Sequence, residues 1–371
     1  MEMHKTQHIP ALDGLRGLAI ALVLWLHLFV HPLPDVAASP WLQWYQAVAG
    51  YGWAGVDLFF VLSGFLITRQ LLQQKGQPGF FRHFYLRRAF RILPAYWLLL
   101  AAFAVGIYTG VPQLSPWLTA GAFPWYSYLL FIQNFWIGND QIGAIWLAPT
   151  WSLAVEEQFY LLFPLLLYLL PKRRLPWLLL AGMVLAPVVR AFWLTGYDGY
   201  VQLPGRMDAL FAGALLAWVW QQGGFRHSAV LVQRLQLSAW LLLALAAVLA
   251  WMRRATEGDV WLHTVLMLLA ATLLAIRLLR YTGGQADRVF TWAPLRWLGH
   301  LSYSLYLWHQ VANGLVHGWA GQPIPAIHTL ADVGLALLAL LLSLGMAALS
   351  YFVVEQPLRR WGSRLAPLPA P

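Results

Sequence analysis

Long unbroken runs of apolar residues, separated by short polar and basic segments, set the pattern along this chain. Taking about 17 to 25 residues as the length that crosses a bilayer, ten runs stand out: 11–30, 51–70, 92–110, 151–170, 176–195, 205–222, 236–252, 261–279, 297–318 and 329–354. They do not alternate apolar and polar positions, as the strands of a membrane barrel would. Inside a bilayer the backbone must satisfy its own polar groups, so each run predicts a helix. The stretch 115–137 is also apolar, but its Trp, Tyr and Pro residues suit an interfacial or re-entrant element rather than a full span. The expected fold is an all-α polytopic membrane protein of about ten transmembrane helices. It forms a single membrane-embedded domain over residues 1–371, with no appended soluble domain.

The basic residues give this count an orientation, because Lys and Arg collect on the cytoplasmic side. With the N-terminus inside, the inner loops hold Arg69, Lys75, Arg82, Arg87, Arg88 and Arg91, then Lys172, Arg173 and Arg174, then Arg226 and Arg234, then Arg280, Arg288 and Arg296. The tail adds Arg359, Arg360 and Arg364, and the outer loops are nearly bare apart from Arg253 and Arg254. Counting 115–137 as a span would reverse every later loop. Ten spans with both termini cytoplasmic is therefore the expected topology.

Composition sharpens the picture in three places. Hydrophobic residues make up 60% of the 371 and charged residues 10%, against about 25% charged in an ordinary soluble domain. The net charge of +10 lies in short clusters between apolar runs, a topology signal and not a nucleic-acid face. Cysteine is absent, which removes disulfides, thiolate metal sites and a cysteine acyl-enzyme. The first run carries Asp13, Arg16 and His27 and no small-residue cleavage site follows it, so it is read as a retained span. No heptad repeat, low-complexity tract or linker divides the chain.

An ionisable residue inside a span is costly, and is either paired in the bundle interior or functional. Arg16 and His27 lie eleven positions apart on the first run, which returns them to nearly one helical face, about 16 Å apart along the axis. Asp13, three residues before Arg16, offers it a structural partner. His27 shares the outer half of the membrane with Asp57, Glu156 and Glu157, and His309 falls in the middle or outer half. An imidazole oriented by a carboxylate is the usual general base. On the inner side, FYLRRAFRILPAYW carries Arg87, Arg88 and Arg91. They are either topology anchors or a phosphate site suited to the guanidinium fork. An inner cationic site with a base beyond it fits a long donor whose charged nucleotide stays in the cytoplasm while a thin arm enters the bundle, the shape of acyl-CoA. No Walker-type loop, dinucleotide fingerprint or His-Glu-x-x-His zinc signature is present.

The segments that carry these residues resemble, in order, those of the acyltransferase-3 family of bacterial membrane O-acyltransferases. ALDGLRGLAIALVLWLHL is similar to the family's opening motif, with Arg16 and His27 in place. GVDLFFVLSGFLIT, LRRAFRILPAYW, WSLAVEEQFYLLFP, RMDALFAGALLA, LGHLSYSLYLWHQ and YFVVEQPLRRW follow. Ala154 and Gln310 depart from residues frequent in the family, and leave the catalytic assignment untouched.

The resemblance implies transfer of an acyl group, often acetyl, from cytoplasmic acyl-CoA to a hydroxyl of a glycan or small molecule, in a multi-pass protein of the bacterial plasma (inner) membrane. Neither a metal nor a nucleic acid takes part. Carried over by position, Arg16 and His27 are expected to be essential and Arg88 and Arg91 to match the family's cytoplasmic arginine pair; together with the depth argument this makes His27 the expected general base, with Asp57, Glu156, Glu157 and His309 as the other catalytic candidates. Arg16, Arg87, Arg88 and Arg91 are assigned to the donor, and Arg206, Asp208 and Tyr303 to the acceptor, while Glu355 falls in a matching segment. The rival reading is a proton-coupled secondary transporter or flippase, since intramembrane Asp, Glu and His also build proton relays. That reading calls for two repeat halves, and no internal symmetry is visible. A non-catalytic scaffold accounts for the spans but not for the layered charges.

Overall fold

The computed structural model describes residues 8–33, 40–138, 141–194, 196–225, 228–253, 260–285 and 287–366. Arg226 and Arg254, counted in the charge argument, lie outside them. The described residues are helical and contain no strand. Helix α1 (Pro10–Trp25) ends in a π turn (Leu26–Val30), and α2 (Pro40–Ala49) leads into α3 (Ala54–Gln74) and α4 (Phe80–Tyr108). Three short helices follow, α5 (Val111–Leu114), α6 (Pro116–Thr119) and α7 (Trp125–Leu129). The chain continues through α8 (Thr150–Leu169), α9 (Leu175–Phe192), α10 (Tyr197–Val201) and α11 (Leu203–Gln221). Helices α12 (Ala229–Arg253), α13 (Val260–Thr282), α14 (Ala293–Trp319), α15 (Leu330–Ser350) and α16 (Gln356–Leu365) complete it, with a π turn (Tyr351–Glu355) between the last two.

Among the described residues, eight stretches are long and apolar enough to cross a membrane, with mean hydropathies from 1.3 to 2.3. Two further helices match expected spans but are not among these eight: α11, of 19 residues, and α14, of 27. Both are long enough, and both spend apolarity on buried polar groups, Arg206 and Asp208 on α11 and Ser302, Ser304, His309, Gln310 and Asn313 on α14. The stretch 115–137 holds only short helices and turns, as its mixed composition implied. Several boundaries shift from the sequence reading, notably the start of the third span. Helix α4 begins at Phe80 and not near 92, so Arg82, Arg87, Arg88 and Arg91 stand on a helix rather than in a loop. Pro94 and Pro164 interrupt neither α4 nor α8, since neighbouring helices can satisfy the backbone groups a proline frees.

Glycines bring the central helices together, because in a lipid environment association depends on close backbone contact rather than on the hydrophobic effect. On the α3–α11 seam a Cβ at Gly64 would lie 1.9 Å from the Leu210 carbonyl oxygen, and one at Gly213 would lie 1.9 Å from that of Val61. On the α1–α14 seam a Cβ at Gly17 would meet the Leu295 oxygen at 1.9 Å. Contacts of 16 with 302 and 27 with 309 show that α1 and α14 run parallel. The peripheral helix α12 has 11% of its apolar window buried against 72% in the Trp41–Gln74 stretch, so α12 presents its sides to lipid while α3 forms the core.

These contacts make a graded prediction. Gly64→Val or Gly213→Val should lower the thermal unfolding temperature of the detergent-solubilised protein, at a cost of about 1–3 kcal/mol for overpacking. Gly345 on α15 has nothing within 4 Å of its would-be Cβ, so Gly345→Ala should be neutral or stabilise by up to about 1 kcal/mol. Equal effects at the three positions would reject the close-approach account.

Candidate active site

The intramembrane charges divide by whether another side chain answers them. One group is sealed and paired. Arg206 Nη2 lies 2.5 Å from Asp57 Oδ1, and Arg206 Nη1 lies 2.8 Å from His263 Nδ1. Arg190 Nη2 meets Asp208 Oδ2 at 2.8 Å and its Nη1 donates to the Gly205 carbonyl. All five side chains are buried, and they tie α3, α9, α11 and α13 to one another. Asp57, Arg206 and Asp208 line neither of the two cavities described below. The geometry therefore differs from the expected catalytic role of Asp57 and acceptor-binding role of Arg206 and Asp208: their charges are consumed by each other. Arg190 and His263, which complete the network, had no motif to mark them.

The second group faces open space. Arg16 of α1, Arg88 and Arg91 of α4, Glu156 and Tyr160 of α8 and Tyr303 of α14 line a cavity with about 860 Å³ of empty volume. Arg16 Nη2 donates to Ser302 Oγ at 3.0 Å, and Arg88 Nη2 to Gln70 Oε1 at 3.3 Å with its guanidinium 5.3 Å above the Tyr160 ring. Among the described residues, no carboxylate comes within 4 Å of any of the three guanidinium groups. Asp13, the expected partner of Arg16, instead lies 2.8 Å from His8 Nε2. Three guanidinium groups and the carboxylate of Glu156 line the cavity, and Glu157 and Glu355 lie near enough to couple to Arg88 and Arg16. Two other expectations differ here. Arg87 turns away and donates from Nε to the Ala366 carbonyl at 2.9 Å, and Glu157, one position past Glu156, lines neither cavity. Tyr303 does line the first cavity, and its hydroxyl donates to the Ile92 carbonyl at 2.8 Å. Glu355 is buried nearby and accepts from Ser304 at 3.1 Å.

A second cavity, with about 1180 Å³ of empty volume, is lined by His27 and His31, Trp53 just before α3, Trp117, Trp151 of α8, Tyr200 of α10 and Gln310 and Asn313 of α14. The first cavity draws on Arg16, early in α1, and Ile67, late in α3, while the second draws on His27 at the end of α1 and Trp53 before α3. The two therefore follow one another along one bundle axis. Val56 and Tyr306 line both.

His27 stands on the π turn that ends α1, a local widening often found at functional sites. Its partner is His309, whose Nε2 lies 3.2 Å from His27 Nδ1, and neither Asp57 nor Glu157 takes that place. The hydrogen-bond network assigns both tautomers. His309 Nδ1 has only carbonyl oxygens nearby, Tyr306 at 2.9 Å and Leu305 at 3.2 Å, so it carries the proton and its Nε2 accepts. His27 Nδ1, between the Val23 carbonyl at 3.0 Å and that acceptor, must then carry a proton too. The remaining lone pair of neutral His27 is on Nε2. Among the described residues no group of three or more His, Asp or Glu side chains is placed to hold a metal ion.

Residues 9–355 match the acyltransferase domain of the acyltransferase-3 type. The chain belongs to this family. Similar proteins include YrhL of Bacillus subtilis, 29% identical over 385 residues, and the peptidoglycan O-acetyltransferase OatA of Listeria monocytogenes, 28% identical over 382. The O-acetyltransferase OatA of Staphylococcus aureus is 27% identical over 380 residues. Each alignment takes in 97% of this chain, but the chain spans only 57 to 59% of the length of these relatives. No solved structure matches it significantly. It is an acyltransferase-family protein whose membrane helices enclose a cationic cavity and an imidazole-bearing one.

The sealed ion pair yields a test of its role. Arg206→Leu should destabilise the protein by about 3–5 kcal/mol by leaving Asp57 buried without a counter-charge. The double variant Asp57→Leu with Arg206→Met should recover most of that loss in thermal unfolding. A double variant as unstable as the single one would refute the pairing account.

Proposed function

We propose that this chain is a membrane O-acetyltransferase that moves an acetyl group from acetyl-CoA to a hydroxyl of a glycan, with His27 as general base. The single observation that carries the reading is the set of three guanidinium groups that face one cavity and that, among the described residues, have no carboxylate within 4 Å. Three arginines gathered on one cavity without a direct carboxylate partner suit a polyanion, and Arg is the side chain suited to phosphate oxygens. In this reading Arg16, Arg88 and Arg91 hold the phosphates of CoA, and the thioester arm points along the axis toward His27. The relatives named for peptidoglycan O-acetylation support a cell-wall glycan as the acceptor class, taken up from the second cavity with its aromatic lining of Trp117, Trp151 and Tyr200. Residues 9–355 act as one catalytic unit of the bacterial inner membrane.

The chemistry follows from the tautomers. The acceptor hydroxyl gives its proton to His27 Nε2 while its oxygen bonds to the thioester carbonyl carbon. The imidazolium that forms keeps its Nδ1–H on the Val23 carbonyl and His309 Nε2, so His309 does the orienting and stabilising work a carboxylate does elsewhere. The tetrahedral adduct then breaks its C–S bond, the sulfur leaves with the electron pair, and His27 returns the proton to it. The products are the acetyl ester and free CoA thiol, with neutral His27 restored.

With purified protein in nanodiscs, His27→Gln should lower acetyl transfer by about 10²-fold or more and leave acetyl-CoA binding near that of the unaltered protein. Arg88→Ala and Arg91→Ala should instead weaken acetyl-CoA binding, and Lys at either position should restore it only in part. Transfer should fall as pH drops through the titration of the His27 imidazole, because the protonated ring has no lone pair. Near-normal turnover in His27→Gln would refute the base, and an unaltered protein that binds no acetyl-CoA would refute the donor.

Orientation is tested separately. Reporter fusions in the 75–79 loop and at the C-terminus should both report the cytoplasm, since the basic clusters lie there. An extracellular C-terminus would overturn the arrangement of donor and acceptor cavities.

A further inference from the structure

Two side chains line both cavities, Val56 on α3 and Tyr306 on α14. Ser152 lines the first and its neighbour Trp151 the second, so the boundary crosses α8 between these residues. Tyr306 is held across that boundary: its hydroxyl and Ser152 Oγ are 2.7 Å apart, and its ring meets Phe59 edge-on with centroids 6.2 Å apart. The backbone of the same residue accepts from His309 Nδ1 at 2.9 Å. One residue thus borders both cavities and anchors the histidine behind the proposed base.

We infer that Val56 and Tyr306, latched by Ser152, form the partition through which the acyl group must pass, and that its width selects small acyl groups over branched ones. The inference rests on the proposed transfer from an acyl-CoA. An acetyl group presents only a methyl at the opening, whereas isobutyryl and benzoyl groups present a wider cross-section that Val56 and the Tyr306 ring obstruct. Discrimination against a group one or two carbons larger is worth about 10- to 200-fold in a shaped apolar site. Removing carbon from the wall, by Val56→Ala, takes away the obstruction and leaves the arginines and both histidines as they are. Breaking the latch, by Tyr306→Phe or Ser152→Ala, frees the ring and also lets water from the second cavity reach the thioester.

The main experiment compares isobutyryl-CoA with acetyl-CoA as donors for the unaltered protein, Val56→Ala and Tyr306→Phe in nanodiscs. Val56→Ala should raise the isobutyryl-to-acetyl rate ratio about tenfold. Tyr306→Phe should raise thioester hydrolysis relative to transfer. Each readout is a ratio, so a variant that folds less well lowers both of its rates together and leaves the ratio unchanged. Ratios within twofold of the unaltered protein in both variants would overturn the partition.

A second measurement needs no donor. The chain has no cysteine, so Ser63→Cys places one thiol in the first cavity, which Ser63 lines. A membrane-impermeant thiol reagent should label it from one face only, and from both faces once Val56→Ala and Tyr306→Ala are added. Labelling from both faces with the partition intact would overturn the inference whatever the donor proves to be. One-face labelling in a protein that does not use acetyl-CoA would leave the partition standing and remove only the donor assignment.

Discussion

The contact between Arg206 and Asp57 is the interaction on which the rest of this bundle depends. A guanidinium or a carboxylate alone in the middle of a membrane protein carries a desolvation cost of several kcal/mol, and here each removes the other's cost at 2.5 Å. Because Asp57 belongs to α3 and Arg206 to α11, the pair also sets the register of the two helices. The Gly64 and Gly213 contacts agree with that register, since both need the backbones of these helices to touch. His263 extends the cluster to α13, and Arg190 with Asp208 extends it to α9. Four helices are held by one sealed set of charges.

That sealed set gives the other charges their meaning. Where every charge is answered, the residues are structural, and neither cavity reaches them. Arg16, Arg88 and Arg91 obey the same electrostatics with the opposite outcome. Their helices bring them to one chamber, and among the described residues no carboxylate lies within 4 Å of any of them, so their donors are left to the cavity. In a protein with so few charges, that difference separates a framework from a binding site more sharply than depth in the membrane does.

The imidazole pair shows how a base can be oriented without a carboxylate. Backbone carbonyls of Tyr306 and Val23 set the two tautomers, and each ring then has one nitrogen committed to the framework. The π turn at the end of α1 places His27 where its free nitrogen has room, and the parallel course of α1 and α14 keeps His309 behind it. Local backbone geometry and helix packing therefore do together what a charged partner does in many other sites.

The sequence by itself determined that the chain is helical and membrane-embedded, because runs of apolar residues of bilayer length leave the backbone no other way to satisfy its polar groups. It also marked Arg16, His27, Arg88, Arg91 and Glu156 as candidates, since ionisable residues are rare in such runs, and these five line the two cavities. It did not show which charges meet. Asp13 looked like the partner of Arg16 from three positions away, yet it turns to His8. Asp57 and Glu157 shared the depth of His27 but not its neighbourhood, and Arg190 and His263 had no motif at all. Pairing depends on helix order, rotation and tilt, which arise from contacts between residues as distant as 57 and 206. A pattern along one chain reports depth in the membrane, whereas only the packed bundle decides which side chain at that depth faces another charge and which faces open space.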